Sequence, residues 1–263
     1  MTRSLNTAAT GMMAQQLNLD VISNNLSNVN TAGYKQQRAK FEDLMYQTMR
    51  AAGVSTTGAP SAPESLQVGL GTRFSSTNSS FSQGTLEQTS NPLDLAVNGS
   101  GFFRVLQPDG SFAYTRDGGF KMDANGLVVN QDGYALDPPV TIPTGSTAVT
   151  ISPTGSITVV LPGAASSSPI EPPIQVTTFA NPAGLSRVGQ NLYKSTAASG
   201  DPVENQPGQN GSGTLSSGFV EGSNVQVVEE MVAMISAQRA YELNSKAIQT
   251  SDEMLTTLNG LKR

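Results

Sequence analysis

The 263-residue chain contains no cysteine, histidine or tryptophan. Without thiols or imidazoles it can form no disulfide, thiolate centre or imidazole metal site, and it lacks the commonest general base in enzymes. An enzyme with this composition would have to use carboxylates, lysine or tyrosine. The lack of cysteine leaves the compartment open, since it suits a reducing cytosol and also a chain that travels unfolded. We expect no cofactor and no metal.

Charge is also scarce. Only 13% of residues are Asp, Glu, Lys or Arg, about half the usual share, and the net charge is −5. Basic residues form no patch, so nucleic-acid binding is not expected. No apolar run reaches the roughly 18 residues of a membrane span, and we expect no direct membrane insertion. The N-terminal MTRSLNTAATGMMAQQL has no apolar core of about 7–15 residues, which predicts export, if any, without a cleaved signal peptide.

Common catalytic and ion-binding motifs are missing from the sequence. Neither G-x-S-x-G nor G-x-G-x-x-G occurs. Asp123, Asn125 and Gly126 resemble part of a calcium loop, but the EF-hand spacing with its glutamate is absent, so turns are the favoured interpretation. A glycosidase with paired carboxylates is an alternative, although no two acids stand out. The residues alone therefore leave a carboxylate enzyme open.

Both ends of the chain carry apolar residues at seven-residue spacing, which predicts heptad helices. The second helix has a capping-box pattern at Ser223 and Gln226 and closes at Gly260, with Lys262 and Arg263 after it. On the first helix, Leu5, Met12, Leu19 and Leu26 repeat every seven residues. A companion set, Ala8, Ile22 and Val29, lies three positions after them and is interrupted by Gln15. The residues predicted to pack the helices and drive self-assembly are Leu5, Met12, Leu19, Ile22, Leu26, Val227, Met234, Tyr241, Ile248 and Leu255.

Two arrangements of these helices are possible. They would be about 40 Å and 55 Å long and would need packed apolar faces to be stable. A closed intramolecular hairpin capping a globular domain is one arrangement. However, Gln238, Ser245 and Asp252 are too polar for a strong two-stranded seam. Burial completed by other copies of the same chain is the second arrangement, and it is favoured because the sequence shows no further helix.

The middle of the chain reads as antiparallel β structure. Short apolar runs alternate with turn signals such as PDG, DANG and QDG. The predicted fold class is α+β, in which the terminal heptad helices pair as an α-helical coiled-coil domain and enclose an antiparallel all-β domain and an extended connecting segment. The predicted domains are residues 1–30 with 222–263, the connecting segment 31–71, and the β domain 72–221. Within the segment, AAGVSTTGAPSAPES alone is typical of a flexible linker, although apolar residues flank it.

The stretch VISNNLSNVNTAGYK at 21–35 crowds four asparagines at the end of the first helix. It resembles the N-terminal signature of the bacterial flagellar axial proteins, the family of rod and hook subunits. The matching residues are Asn24, Asn25, Leu26, Asn28, Asn30, Thr31, Gly33, Tyr34 and Lys35. The blocks VNGSGFFRV, YTRDGGFKMDANGLVVNQDGY, TTFANPAGLSRVGQNLYKST and GFVEGSNVQVVEEMVAMISAQRAYELNSKAIQTSDEML are also similar to the family's blocks.

Within this family, FEDLMYQTMRAAG at 41–53 and LQVGLGTR at 66–73 resemble subunits of the distal rod; another axial subunit, proximal rod or hook-type, is the alternative. The resemblance implies a structural subunit without enzymatic activity. It would assemble helically into a rigid hollow drive shaft that carries torque from motor to hook across the periplasm. Its implied partners are copies of itself, proximal rod subunits, hook protein, the surrounding ring (bushing) proteins, and the type III export apparatus and rod cap during assembly.

Asparagine tolerates left-handed backbone, and its amide can satisfy the carbonyl groups that a helix leaves open. Gly33 permits the turn that follows. We expect Asn28 and Asn30 to terminate the helix locally, whereas Asn24 and Asn25 are candidates for hydrogen bonds between copies. The segment from Tyr46 to Gly69 is expected to be ordered in the polymer and to wedge between neighbouring copies.

Overall fold

A computed structural model describes residues 2–50, 64–162 and 168–260 of the chain. Helix α1 (Thr2–Ser27) begins the fold, antiparallel β structure follows, and the long helix α2 (Val227–Gly260) ends it. The predicted α+β class with terminal helices and an antiparallel β region is confirmed.

The chain divides into two compact units. The helical unit comprises residues 2–26, 37–50, 64–78 and 226–260, and the β unit comprises residues 27–36, 79–162 and 168–225. The three domains predicted from the sequence, at 1–30 with 222–263, 31–71 and 72–221, stay a prediction.

In the helical unit the two helices are antiparallel. Ser4 Oγ lies 3.5 Å from Ser251 Oγ, a Cβ atom added to Gly11 would lie 3.0 Å from Asn244 Nδ2, and Asn25 Nδ2 donates to Glu230 Oε2 over 3.2 Å. In each pair the two residue numbers have the same sum, as antiparallel helices in constant register require. The contacts recur at multiples of seven residues, and Ala237, on the same spacing, is 3% exposed. Small and polar residues therefore contribute to this seam.

The large apolar stripes flank that seam. The α2 stripe precedes the seam residues of that helix by three positions and so shares their face, whereas the α1 stripe follows Ser4, Gly11 and Asn25 by one position, about 100° around the helix. On α1, Leu5, Met12, Leu19 and Leu26 are half-buried and Ile22 is buried. On α2, Met234, Ile248 and Leu255 are half-buried, whereas Val227 and Tyr241 are about 40% exposed. Coiled-coil packing through these ten residues stays a prediction.

The segment predicted as an extended connection contains strands. Strands β1 (Gln37–Asp43), β2 (Tyr46–Arg50) and β3 (Leu66–Gly69) precede β4 (Thr72–Ser79); β1 pairs with β4, and β2 with β3. The β2–β3 ribbon is antiparallel, with Tyr46 opposite Gly69. Residues 51–63, most of the predicted linker, lie outside the described residues.

The β unit contains strands β5 to β20 and a short 3₁₀ turn at Pro182–Gly184. The strands are β5 (Leu86–Gln88), β6 (Leu95–Asn98), β7 (Phe103–Leu106), β8 (Phe112–Thr115), β9 (Lys121–Met122), β10 (Val128–Val129), β11 (Ala135–Asp137), β12 (Ala148–Ile151), β13 (Ile157–Val160), β14 (Ser168–Ile170), β15 (Val176–Thr178), β16 (Ser186–Gly189), β17 (Leu192–Lys194), β18 (Val203–Asn205), β19 (Thr214–Ser217) and β20 (Phe219–Glu221).

Seven of these strands form one sheet in the order β16-β17-β8-β7-β11-β10-β9, and β12-β13-β14 form another. The remaining pairs are β15–β18, β6–β19 and β5–β20. The last two pairs place the end of the β unit beside its beginning, since Leu215 lies opposite Val97 and Glu221 opposite Leu86.

The predicted turns are confirmed. Gly110, Gly126 and Gly133 each have φ between +80° and +84°, at the end of three-residue hairpin loops. In each loop the glycine N–H donates to a carbonyl three residues earlier, as Gly126 does to Asp123. Glycine is favoured here because L side chains rarely adopt the left-handed region. The Asp123–Gly126 stretch is thus a turn between strands β9 and β10.

The start of α2 differs from the predicted capping box. Ser223 Oγ accepts from the Val225 N–H over 3.3 Å, so it closes a local turn ahead of the helix. The first intrahelical acceptor is the Gln226 carbonyl, which receives the Glu230 N–H at 3.0 Å. The predicted box is wrong because its serine lies one turn too early.

Candidate functional site in the asparagine-rich motif and the exposed helix faces

Asn25 is 1% exposed and binds inside the helical unit. Its Oδ1 accepts the Gln37 N–H at 2.9 Å and its Nδ2 donates to the Gln37 carbonyl at 2.7 Å. The side-chain amide therefore bonds to both the N–H and the carbonyl of one residue, as a residue of a neighbouring antiparallel strand would. Nδ2 also donates to Glu230 at the start of α2. The expectation that Asn25 bonds between copies is wrong, because its amide is occupied within the chain.

Replacing Asn25 by alanine is expected to lower the free energy of unfolding of the helical unit by about 1–3 kcal/mol, since it leaves buried polar groups of Gln37 and Glu230 without this partner. Urea unfolding followed by circular dichroism measures the change. Asn6→Ala, at an exposed site on the same helix, is the matched control and should have little effect. Equal effects of the two substitutions would contradict the role assigned to Asn25.

Asn28 closes the turn that follows α1, within the β unit. Its carbonyl accepts the Thr31 N–H at 3.2 Å, and its Oδ1 accepts the Thr31 hydroxyl at 3.2 Å. Asn28 thus bonds locally beside the end of α1, and its predicted role in terminating the helix stays a prediction. Asn24 and Asn30 are exposed, and the roles predicted for them stay predictions.

Gly33 lies against the backbone that follows strand β8. Its φ is +67°, and an added Cβ atom would lie 2.5 Å from Asp117 N and 2.7 Å from the Arg116 carbonyl carbon. Its N–H donates to the Glu221 carbonyl over 2.7 Å. Two requirements, left-handed backbone and close approach, therefore select glycine at this position of the motif.

Lys35 is completely buried in the β unit and binds Glu221, which is equally buried. Lys35 Nζ lies 2.5 Å from Glu221 Oε1 and 2.8 Å from the Ser82 carbonyl oxygen. Arg116, with a side chain 4% exposed, donates to Glu221 Oε2 over 3.1 Å and to the Gly99 carbonyl over 2.7 Å. Burial lowers the pKa of Lys35 below its ordinary value, against the raising effect of Glu221. We call Lys35, Arg116 and Glu221 the buried triad.

Tyr34 packs beside an arginine from strand β16. The Arg187 guanidinium carbon lies 5.1 Å from the centre of the Tyr34 ring and 5.5 Å from that of Tyr193. Arg187 also donates to the Lys35 carbonyl. Asn191, at the tip of the β16–β17 hairpin, donates to the Ala32 carbonyl over 3.1 Å. Each of residues 32–35 of the motif therefore contacts the rest of the β unit.

Sequence reasoning missed Glu221, Arg116 and Arg187 as partners of the motif. Each lies inside a block quoted above for its resemblance, GFVEGSN, YTRDGG or GLSRVG. A charged residue within two positions of a glycine was the only local signal. Nothing in the local pattern indicates that residues up to 186 positions apart meet.

The helical unit carries most of the exposed large apolar side chains among the described residues, whereas both buried apolar clusters of that part of the chain belong to the β unit. The exposed residues of the helices are Met13, Leu17, Val227, Val228, Met231, Val232, Ile235, Tyr241, Leu243, Met254 and Leu258. Those of the β strands and their flanks include Phe41, Met45, Tyr46, Met49, Leu66, Val68 and Leu70. Where such residues adjoin on one face, an exposed apolar surface marks an interaction site.

Residues 2–50, 64–162 and 168–260 contain no group of three or more acidic residues placed to hold a metal ion. Over the same residues, neither helix is long and apolar enough to cross a membrane.

Three protein-family profiles match this chain. The flagella basal body rod protein profile matches residues 5–35, the flagellar hook protein FlgE/F/G D1 domain matches residues 96–159, and the flagellar basal body rod FlgEFG protein C-terminal profile matches residues 216–261. The matches thus cover the motif, the first part of the β unit and α2.

Similar proteins extend over the whole chain. The flagellar basal-body rod protein FlgG of Borreliella burgdorferi is 50% identical over all of both chains, that of Caulobacter vibrioides 45% over 99% of each, and that of Bacillus subtilis 41% over all of both. The flagellar hook protein FlgE of Helicobacter mustelae is 44% identical over 52% of this chain and 30% of its own length. The chain belongs to the family of flagellar basal-body rod proteins FlgG.

Proposed function

We propose that this chain is a structural subunit of the flagellar distal rod that assembles helically with copies of itself into a rigid hollow drive shaft, transmitting torque from motor to hook. The observation that supports it best is the distribution of apolar side chains in the helical unit. Small and polar residues contribute to the contacts between α1 and α2, and large apolar residues such as Met13, Val228 and Val232 are exposed. Neighbouring copies would bury these residues, and such burial is the main source of helix stability.

Low charge suits extensive contacts between copies. Few ions have to be desolvated when subunit faces meet, and unpaired buried charge is costly. On the two helices most exposed residues are apolar or uncharged polar, and the exposed charges of α2 are Glu229, Arg239, Glu242, Lys246, Asp252 and Glu253. A shaft needs contacts that do not slide, and closely packed faces of this composition provide them.

The proposed partners follow from the same role. They are proximal rod subunits and hook protein at the two ends, ring (bushing) proteins around the shaft, and the type III export apparatus and rod cap during assembly. The proposed location is the basal body, where the rod spans the periplasm. We propose that the protein has no enzymatic activity. A proximal rod or hook-type subunit is the alternative, less favoured because the hook relative matches about half of this chain.

Polymerisation of the purified full chain tests this proposal. Above a critical concentration we expect hollow tubes in negative-stain electron microscopy. The light scattering of the solution should rise after a lag as the tubes form. Tubes decorated by the same antibody that labels an internal tag in isolated basal bodies would place them at the distal rod. A chain that stays monomeric at all concentrations, or that is recovered from the culture medium and is missing from basal bodies, would contradict the proposal.

The segment Tyr46 to Gly69 is proposed to hold the polymer straight. Its described strands form a two-stranded ribbon in which Tyr46, Met49 and Leu66 are more than half exposed. Such a ribbon is marginally stable alone, so contacts with neighbouring copies would order it.

Deleting residues 46–69 is expected to give curved or flexible tubes, because the wedge between copies is lost. Electron microscopy of the polymer measures the curvature. Replacing the segment by a Gly-Ser linker of equal length is the control, and it should also lose straightness if the ribbon and not chain length matters. Straight tubes from both variants would contradict the proposal that this segment holds the polymer straight.

A further inference from the structure

We propose that successive copies associate head-to-tail through two different apolar patches on opposite sides of the α1–α2 pair. Patch A, on α2, consists of Val228, Met231, Val232 and Ile235. Patch B, on α1, consists of Met13 and Leu17. The occupant of patch A is patch B of a second copy. The inference rests on the proposed function, which requires self-association but does not say which surfaces meet.

The seam between the helices fixes where the patches lie. Met13 follows Gly11, a seam residue, by two positions, and Val228 precedes the seam residue Glu230 by two. Residues two apart on a helix are separated by about 200°. Patch B therefore faces away from α2, and patch A faces away from α1. The two patches lie on opposite sides of the helix pair and leave each other unobstructed.

Patch A has the form of a helix-docking surface. Its residues are spaced i, i+3, i+4 and i+7, which places them on one face, and they are 74%, 51%, 59% and 48% exposed. Further along α2 the same face becomes polar, with Glu242, Lys246 and Gln249 exposed on it. The apolar surface is thus a bounded patch of about two turns. Patch B is shorter, with Met13 69% and Leu17 41% exposed at i, i+4 spacing.

The antiparallel register places the patches at different heights. In this register Ile235 lies level with Asp20 and Val228 with Ser27, because the seam pairs share one residue-number sum. Patch B, around residue 15, is therefore displaced from patch A by about 13 Å along the helices. When patch A of one copy receives patch B of the next, each added copy is shifted along the axis. Repeating one heterologous contact of this kind builds an open helical array.

A self-complementary dimer through patch A alone would close after two copies and leave patch B bare. The presence of a second patch on the far side, at another height, favours continued addition. Every growing row of copies would then expose patch A at one end and patch B at the other, so that a further copy can bind at either end.

Charge substitutions test the pairing. Ile235→Lys places a charge in patch A, and Met13→Glu places one in patch B; both sites are exposed, so the fold should survive, as circular dichroism would verify. We expect each variant to raise the critical concentration for polymerisation at least about tenfold. The chain carrying both substitutions should polymerise at close to the native critical concentration in low salt, since every contact then joins the introduced lysine of one copy to the introduced glutamate of the next. It should lose this recovery in high salt.

Gln249→Lys, two heptads beyond Ile235 on the polar part of the same face, is the matched control and should polymerise as the native chain does. Native polymerisation by both single variants would overturn the inference and leave the proposed function standing. Failure of the doubly substituted chain to recover would also overturn it, because the two sites then do not meet. Failure of the native chain to polymerise would instead count against the proposed function.

Discussion

Replacing Glu221 by glutamine is expected to lower the free energy of unfolding of the β unit by about 3–5 kcal/mol. The substitution keeps the shape of the side chain and removes its charge. Lys35 and Arg116 would then be two buried cations without their shared carboxylate. Breaking a buried ion pair by removing one partner costs far more than the pair itself contributes, because the remaining charge stays desolvated.

Urea unfolding of the full chain, followed by circular dichroism, measures this loss. Lys35→Met should cost less than Glu221→Gln, because Glu221 keeps Arg116 as a partner. Glu42→Gln is the control, since Glu42 and its partner Arg73 are exposed and exposed pairs contribute little. If Glu221→Gln proved as mild as Glu42→Gln, the triad would have no structural role.

Replacing Gly33 by alanine is expected to destabilise the chain by about 3 kcal/mol or more. Two costs combine: a left-handed backbone at φ +67°, and a Cβ atom only 2.5 Å from Asp117 N. The backbone that follows strand β8 would have to move, and the hydrogen bond from Gly33 N–H to the Glu221 carbonyl would be strained.

Gly110→Ala separates the two costs. Gly110 also has a left-handed backbone, at φ +80°, but nothing lies within 4 Å of its added Cβ atom. It should cost about 1 kcal/mol from the backbone alone, and the difference between the two variants in thermal or urea unfolding reports the close approach. Equal losses would mean that Gly33 is needed only for its turn.

The sequence was informative where periodicity and turn chemistry act locally. Heptad spacing predicted both terminal helices, and apolar runs between glycine turns such as those at Gly126 and Gly133 predicted the strands of the β unit. Strands β1 to β3 escaped prediction because the residues around Arg38 and Thr48 show no clean alternation and the ribbon is mostly exposed. Such strands form because another segment of the chain lies beside them and pairs with them. A local sequence pattern contains no information about that partner.

The sequence patterns did not predict the helix seam or the buried triad, and the reasons differ. A heptad pattern gives weight to large apolar residues such as Leu19, whereas the two helices meet through Ser4, Gly11 and Asn25, each one position before the stripe on the same spacing. The triad joins residues up to 186 positions apart, and each member alone reads as an ordinary surface charge. For Asn25, its amide geometry and not its residue type decides that it bonds within the chain.

The adjacency of the first and last strands of the β unit has a kinetic consequence. β20 pairs with β5, and Glu221 reaches Lys35, so the unit closes only when residues from both ends of its sequence are present together. Contacts of such long sequence separation slow folding, because loop-closure entropy is lost before they can form. If a chain emerged from a narrow channel one end first, its β unit would therefore be unable to complete its fold until nearly the whole chain had emerged. In such a case the pairing of β20 with β5 would set the moment at which the β unit can complete its fold.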